Sequence, residues 1–181
     1  MRDLDYLLNQ LIPPPIREER EGFTNDHLIE LLSDEEKVAL VPRLIEMLNN
    51  SQDLLVAETL FKIDASVALP QVLECLKQQD SPMEKIVWTE LVHHFDEGNP
   101  EMEKVAFDAF KELDFNYESE GWIFIILIKF NSERINKRIE EFVDHKYFLV
   151  AHHAKMVLNH KGYADERNEQ VITKKWWEFW K

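Results

Sequence analysis

The sequence predicts an all-α fold: a right-handed α-solenoid of about four antiparallel helix hairpins, closed by helical caps. Three observations predict it. The segment PRLIEML at 42–48 returns as PQVLECL at 70–76. A longer segment, LLVAETLFKID at 54–64, is matched by FLVAHHAKMVL at 148–158. That offset is about three periods of ~31 residues, and self-similarity at such a period marks a stacked array of helix pairs. Finally, only 4 Gly occur in 181 residues, and the period-2 alternation of strands is almost absent.

The elements follow in order. Leu4, Leu7, Leu8 and Leu11 keep helical spacing, so a first helix is expected at 3–11. Pro13, Pro14 and Pro15 end it and stiffen an extended connector. The charged run 17–21 reads as solvated. Beyond it the helix-start signals come at close intervals. Ser33 with Glu36 makes a capping box, Ser81-Pro82-x-Glu84 supplies N-cap, N1 and N3, and Asn99-Pro100 repeats the N-cap and N1 pair. Ser51 and Ser132 are further N-cap candidates. Helices are therefore expected at 24–32, 34–49, 52–63, 66–79, 82–96, 100–113, 118–131, 133–144 and 146–160. The short links between them make successive helices antiparallel neighbours, giving hairpins at 34–63, 66–96, 100–131 and 133–160.

Pro42, Leu44, Glu46 and Leu48, with Val56 and Ala57, form one unit. They recur as Pro70, Val72, Glu74 and Leu76. The last unit keeps Glu140, Phe142, Val150 and Ala151 but has no proline. On these residues the chain resembles the HEAT-repeat family over roughly 34–160. Armadillo-type repeats share the same packing logic and stay open. The resemblance implies a single domain, with an N-terminal cap at 1–32, repeats at 33–161 and an aromatic cap or tail at 162–181. It implies a fold more than a function.

Charge narrows the function classes. The chain carries a net charge of −14. Residues 1–131 hold 11 Lys or Arg against 27 Asp or Glu, and residues 132–181 hold 10 against 8. An acidic body lacks the cations that grip a nucleic-acid backbone, so no nucleic-acid partner is expected. The single Cys75 excludes an intramolecular disulfide and reads as a buried, inert thiol. Residues 1–12 form no signal-peptide run, and 122–128 is too short to span a bilayer. A reducing cytoplasm is the expected location.

Candidate chemistry is sparse. Glu90, His93 and His94 give a Glu-x-x-His spacing, but a di-iron bundle requires two such motifs. Lys85, Thr89 and His93 share one arc of that helix, which reads as a solvated face. His145, His152, His153 and His160 lie in or beside the last helix. Seven-residue gaps span about 10 Å along a helix, too far for one ion to bridge. No metal, cofactor or catalytic residue is assigned.

The last helix carries one apolar stripe in Val150, Ala151, Ala154, Val157 and Leu158. Leu149 and Met156 project elsewhere, beside His152, His153 and His160. That second surface needs a cover, either an external partner or the chain's own C-terminus. The C-terminal KKWWEFWK places Trp176, Trp177, Phe179 and Trp180 within five residues. Such aromatics dominate binding hot spots. Ile172, Trp176, Phe179 and Trp180 share helical spacing, which suits a docked cap. Flanking Lys174, Lys175 and Lys181 also suit an anionic membrane surface.

The reading is a non-enzymatic module that binds another protein through its solenoid surface. Its candidate contacts are Glu58 and Lys62 on the second helix of a hairpin, with His152, His153, His160, Trp176, Trp177, Phe179 and Trp180. One alternative is an acidic inhibitor or immunity-type protein masking a basic enzyme. The other is a HEAT-like DNA glycosylase, which the acidic body opposes.

Overall fold

The computed structural model describes residues 2–20, 22–96, 99–115 and 118–159. Every regular element among them is helical, and they divide into two compact units, Met1–Gln78 and Gln79–Lys181.

The first unit holds α1 (Leu4–Leu11), α2 (Arg17–Arg20), α3 (Asp26–Glu30), α4 (Asp34–Ser51), α5 (Leu54–Ile63) and α6 (Ala65–Lys77). Helix α5 packs on both α4 and α6, and α1 lies against α3 and α4. The repeated motif places equivalent residues alike. Leu44 and Leu48 of α4 are fully buried, as is Val72 of α6, while Pro42 and Pro70 sit mid-helix on exposed positions. A proline there removes one backbone bond, so it is best tolerated on the outer side.

Capping sets the boundaries. Ser33 Oγ accepts from Glu36 N at 3.2 Å, and Ser33 N donates to Glu36 Oε2 at 3.0 Å. This is the reciprocal box expected from the sequence. Ser51 behaves differently from expectation. It is the last residue of α4, donates to Met47 O at 2.8 Å, and hands over to Gln52 in a left-handed conformation. Asp53 caps α5 instead, accepting from Leu55 N at 2.9 Å.

The run expected to be solvated at 17–21 contains an anchor. Arg20 Nη2 lies 2.9 Å from Pro13 O and 2.7 Å from Asp53 Oδ2. Its guanidinium thus ties the proline connector to the cap of α5. A buried amide does the same nearby: Asn25 Nδ2 donates to Leu11 O at 3.1 Å and Thr59 Oγ1 at 2.6 Å.

The second unit holds α7 (Pro82–Phe95), α8 (Pro100–Glu112), a 3-10 helix at Glu118–Trp122, α9 (Ile123–Leu127), a 3-10 turn at Ile128–Phe130, α10 (Glu133–Glu140) and α11 (Phe148–Asn159). Helix α7 packs against α8 and α9, and α11 packs against α9, α10 and the first 3-10 helix. The boundary between the units falls inside the hairpin expected at 66–96, and α7 takes α8 as its main neighbour. The single helix expected at 118–131 is wound as 3-10, α and 3-10 in succession. Its apolar residues are nevertheless covered, with Ile123, Phe124 and Leu127 fully buried. Asn131, left-handed at φ 48°, ends it.

Gly121 explains the tight winding. A Cβ there would lie 2.9 Å from Val150 Cα and 2.9 Å from His153 Nδ1. Only glycine lets this 3-10 helix approach the α11 backbone so closely. The arc expected to be solvated on α7 is also packed. Thr89 is fully buried and donates to Lys85 O at 2.5 Å, and the His93 ring sits 4.7 Å from Phe130. Lys129 Nζ reaches Glu90 Oε1 at 3.0 Å. The segment 128–130 passes over that arc and covers it.

Candidate functional site

Glu58 and Lys62, expected as exposed contacts, are instead partly covered and paired. Their side chains retain 17% and 19% exposure, and Lys62 Nζ lies 2.7 Å from Glu58 Oε1. Lys62 also pairs with Asp26, which staples α3 to α5. Burial alone lowers the Lys62 ammonium, but its hydrogen bonds to Asp26 and then Glu58 outweigh burial and hold its pKa above the ordinary value. The reason is positional: Lys62 lies one turn after Glu58, and α3 crosses close enough to supply a second carboxylate.

A depression beside α1 is lined by Arg2, Asp3, Leu4, Asp5 and Arg43. Both its cations are engaged: Arg2 pairs with Glu36 at 2.7 Å and Arg43 with Asp5 at 2.8 Å. The Arg2 guanidinium and then the Ser33 N–H hold the Glu36 carboxyl far below the usual carboxylate range. The Arg2 and Ser33 contacts to Glu36 fix the start of α4.

The Glu103 cluster in the second unit is likewise structural. Arg134 Nε donates to Glu103 Oε1 at 2.7 Å, Ser132 donates to the same carboxylate, and the Arg134 guanidinium lies 4.8 Å from the Phe107 ring centre. The hydrogen bond from Arg134 holds Glu103 below its ordinary pKa, against the opposing effect of burial. Ser132 is the N-cap of α10, accepting from Ile135 N at 3.4 Å, so the cluster joins α8 to the start of α10. Among the described residues no group of three or more His, Cys, Asp or Glu is placed to hold a metal ion. Cys75 is buried, and burial pushes its thiol up, away from the thiolate needed of a nucleophile.

The distinctive surface lies where α10 turns into α11. A series of rings runs outward from the core. Phe110 and Phe124, both fully buried, are 6.0 Å apart, and Phe142 lies 5.9 Å and 5.4 Å from them. Phe115 fills the centre, 5.0 Å from Phe124 and 4.7 Å from Phe142. From Phe142 the series continues to His145 at 5.9 Å and then Tyr147 at 5.5 Å. Tilted and edge-on pairs at these distances are individually favourable and collectively stiff. The Arg138 guanidinium caps the Phe142 ring at 5.2 Å.

Phe148 follows Tyr147 at the start of α11, and its ring is 70% exposed. His152, one turn on, stacks on it at 5.8 Å and 19°. The outer arc of α11 carries Phe148, Leu149, His152 and Met156, while Val150, Ala154 and Val157 face inward and are buried. This is the second surface expected from the sequence. The 3-10 helix at Glu118–Trp122 covers its flank at Leu149, Val150 and His153, an internal cover the sequence reading had not considered.

His152 is therefore exposed and available, whereas His153 is pressed against Gly121 with a buried Nδ1 that has no hydrogen-bond partner. Burial, followed by the neighbouring His152, lowers the His153 pKa below its ordinary value. His160, Trp176, Trp177, Phe179 and Trp180 lie outside the described residues. Sequence reasoning missed Phe142, Tyr147 and Phe148. The available signal was the aromatic pair Tyr147-Phe148 at a helix start, where no preceding turn covers the side chains.

What this arrangement presents is an exposed aromatic surface. An exposed ring already stacked on a neighbouring side chain, as Phe148 is on His152, buries area with little loss of side-chain freedom. No family model, curated protein or solved structure matches the chain.

Proposed function

We propose that the chain is a non-catalytic protein-binding module whose partner seats on the outer arc of α11. The observation that carries this is Phe148: a ring 70% exposed yet stacked on His152 at 5.8 Å and continuous in sequence with the Phe142–Tyr147 series. Exposed aromatics held on rigid elements are the usual centres of protein interfaces. The repeated motif supports the finer reading of a HEAT-like solenoid, a fold class that presents surface to partners. A cytoplasmic location goes with that reading.

A second reading has its own support. The net charge of −14 suits an inhibitor that masks a basic enzyme, because complementary charge steers encounter. Capture experiments with the intact chain and a Phe148→Asp variant test the first reading. The module reading expects a partner that the variant fails to retain. Equal capture by both chains would overturn α11 as the seat. Stopped-flow association in rising salt separates the readings: the inhibitor reading expects an on-rate that falls at least 10-fold between low and physiological ionic strength.

A further inference from the structure

We propose that the exposed arc of α11 is the seat of the chain's own C-terminal aromatic segment, Trp176–Trp180, so that any external partner must compete with it. This rests on the reading of α11 as a binding surface and names the ligand chemistry: a tryptophan-rich, lysine-flanked peptide. Two of the described residues leave a large apolar side chain exposed in the second unit, Phe148 and Leu149, and they are adjacent on this arc. The chain that follows α11 holds three of the protein's 5 Trp. Trp176, Phe179 and Trp180 recur at the spacing i, i+3, i+4, which on a helix would gather them on one face.

The tether fits the span. Helix α11 has 12 residues, about 18 Å at 1.5 Å per residue. A flexible chain of 16 residues, the number at 160–175, would have a root-mean-square reach of about 22 Å. A linker whose reach matches the distance to be spanned gives an effective concentration in the millimolar range. Even a weak contact is then largely formed.

The test uses a fluorescein-labelled peptide KKWWEFWK, the intact chain and a chain truncated after Thr173. The expected result is binding to the truncated chain at least 10-fold tighter than to the intact chain, whose seat is occupied. Phe148→Asp in the truncated chain should then weaken the peptide at least 10-fold. Equal binding to both chains, binding to neither, or indifference to Phe148→Asp would each overturn the proposal. Should the truncated chain fail to fold, the full-length Phe148→Asp variant decides. Its tryptophan emission should shift to the red and its acrylamide quenching rise, and no change would overturn the proposal. Light scattering on the intact chain identifies a competing occupant: a dimer that Phe148→Asp converts to monomer would make the occupant a second copy. An emission shift on adding phosphatidylserine vesicles to the intact chain, equal in the Phe148→Asp variant, would make the tail a membrane contact. No external partner enters this test, so it fails or succeeds separately from the capture experiment.

Discussion

Gly121 and His153 carry the strongest residue-level constraints in the second unit, because each is defined by the other. A Cβ at position 121 would lie 2.9 Å from backbone Val150 Cα, and backbone cannot yield as a flexible side chain does. Gly121→Ala should therefore destabilise the protein by about 1–3 kcal/mol, the usual cost of overpacking, measured by urea unfolding. His153 sets a pH dependence. Its folded pKa is lowered by burial from the model-compound value of 6.5, so the unfolded chain binds the proton more readily. Stability from this group is fully present above that value and is lost as the pH falls through it toward the folded pKa. Unfolding free energy should decline as the pH falls from about 7.5 through the ordinary histidine range, and His153→Leu should flatten that decline. Parallel slopes for both proteins would contradict the assignment.

At the scale of elements, stability rests on caps and cross-links between neighbouring helices. The Ser33–Glu36 box also receives Arg2, so the first turn of α4 holds residues from distant parts of the unit. Ser33→Ala should cost about 1 kcal/mol, read as a lower urea midpoint with an unchanged slope. These caps were legible because they depend on residues two or three apart. Ser33, Ser81, Asn99 and Ser132 all cap where the sequence placed them. What was not legible depended on distant neighbours. Nothing local to Lys62 announces Asp26, and nothing in the run 17–21 announces that Arg20 reaches Asp53. The same blindness hid the 3-10 winding around Gly121, which follows from where α11 lies. The Phe142–Phe148 surface was hidden for another reason: its rings are spread over the turn after α10 and the start of α11, and no single periodicity links them.

At the scale of the whole molecule, the chain forms two compact units. Ion pairs hold helix starts in the first, and among the described residues the second carries an exposed apolar arc on α11. Because Gly121, Val150 and His153 all belong to the second unit, Gly121→Ala should raise hydrogen exchange in α9 and α11 while leaving α4 and α5 unchanged. Equal acceleration in both units would show that they open together. The central claim is that binding runs through α11 and not through the paired charges of α5. The direct measurement is the affinity of the captured partner for the intact chain, for Phe148→Asp and for Lys62→Gln, each first shown to be folded by circular dichroism. The account predicts a loss of at least 10-fold for Phe148→Asp, about 1.4 kcal/mol, and less than 2-fold for Lys62→Gln. The reverse pattern, with Lys62→Gln losing the partner and Phe148→Asp retaining it, would contradict the account.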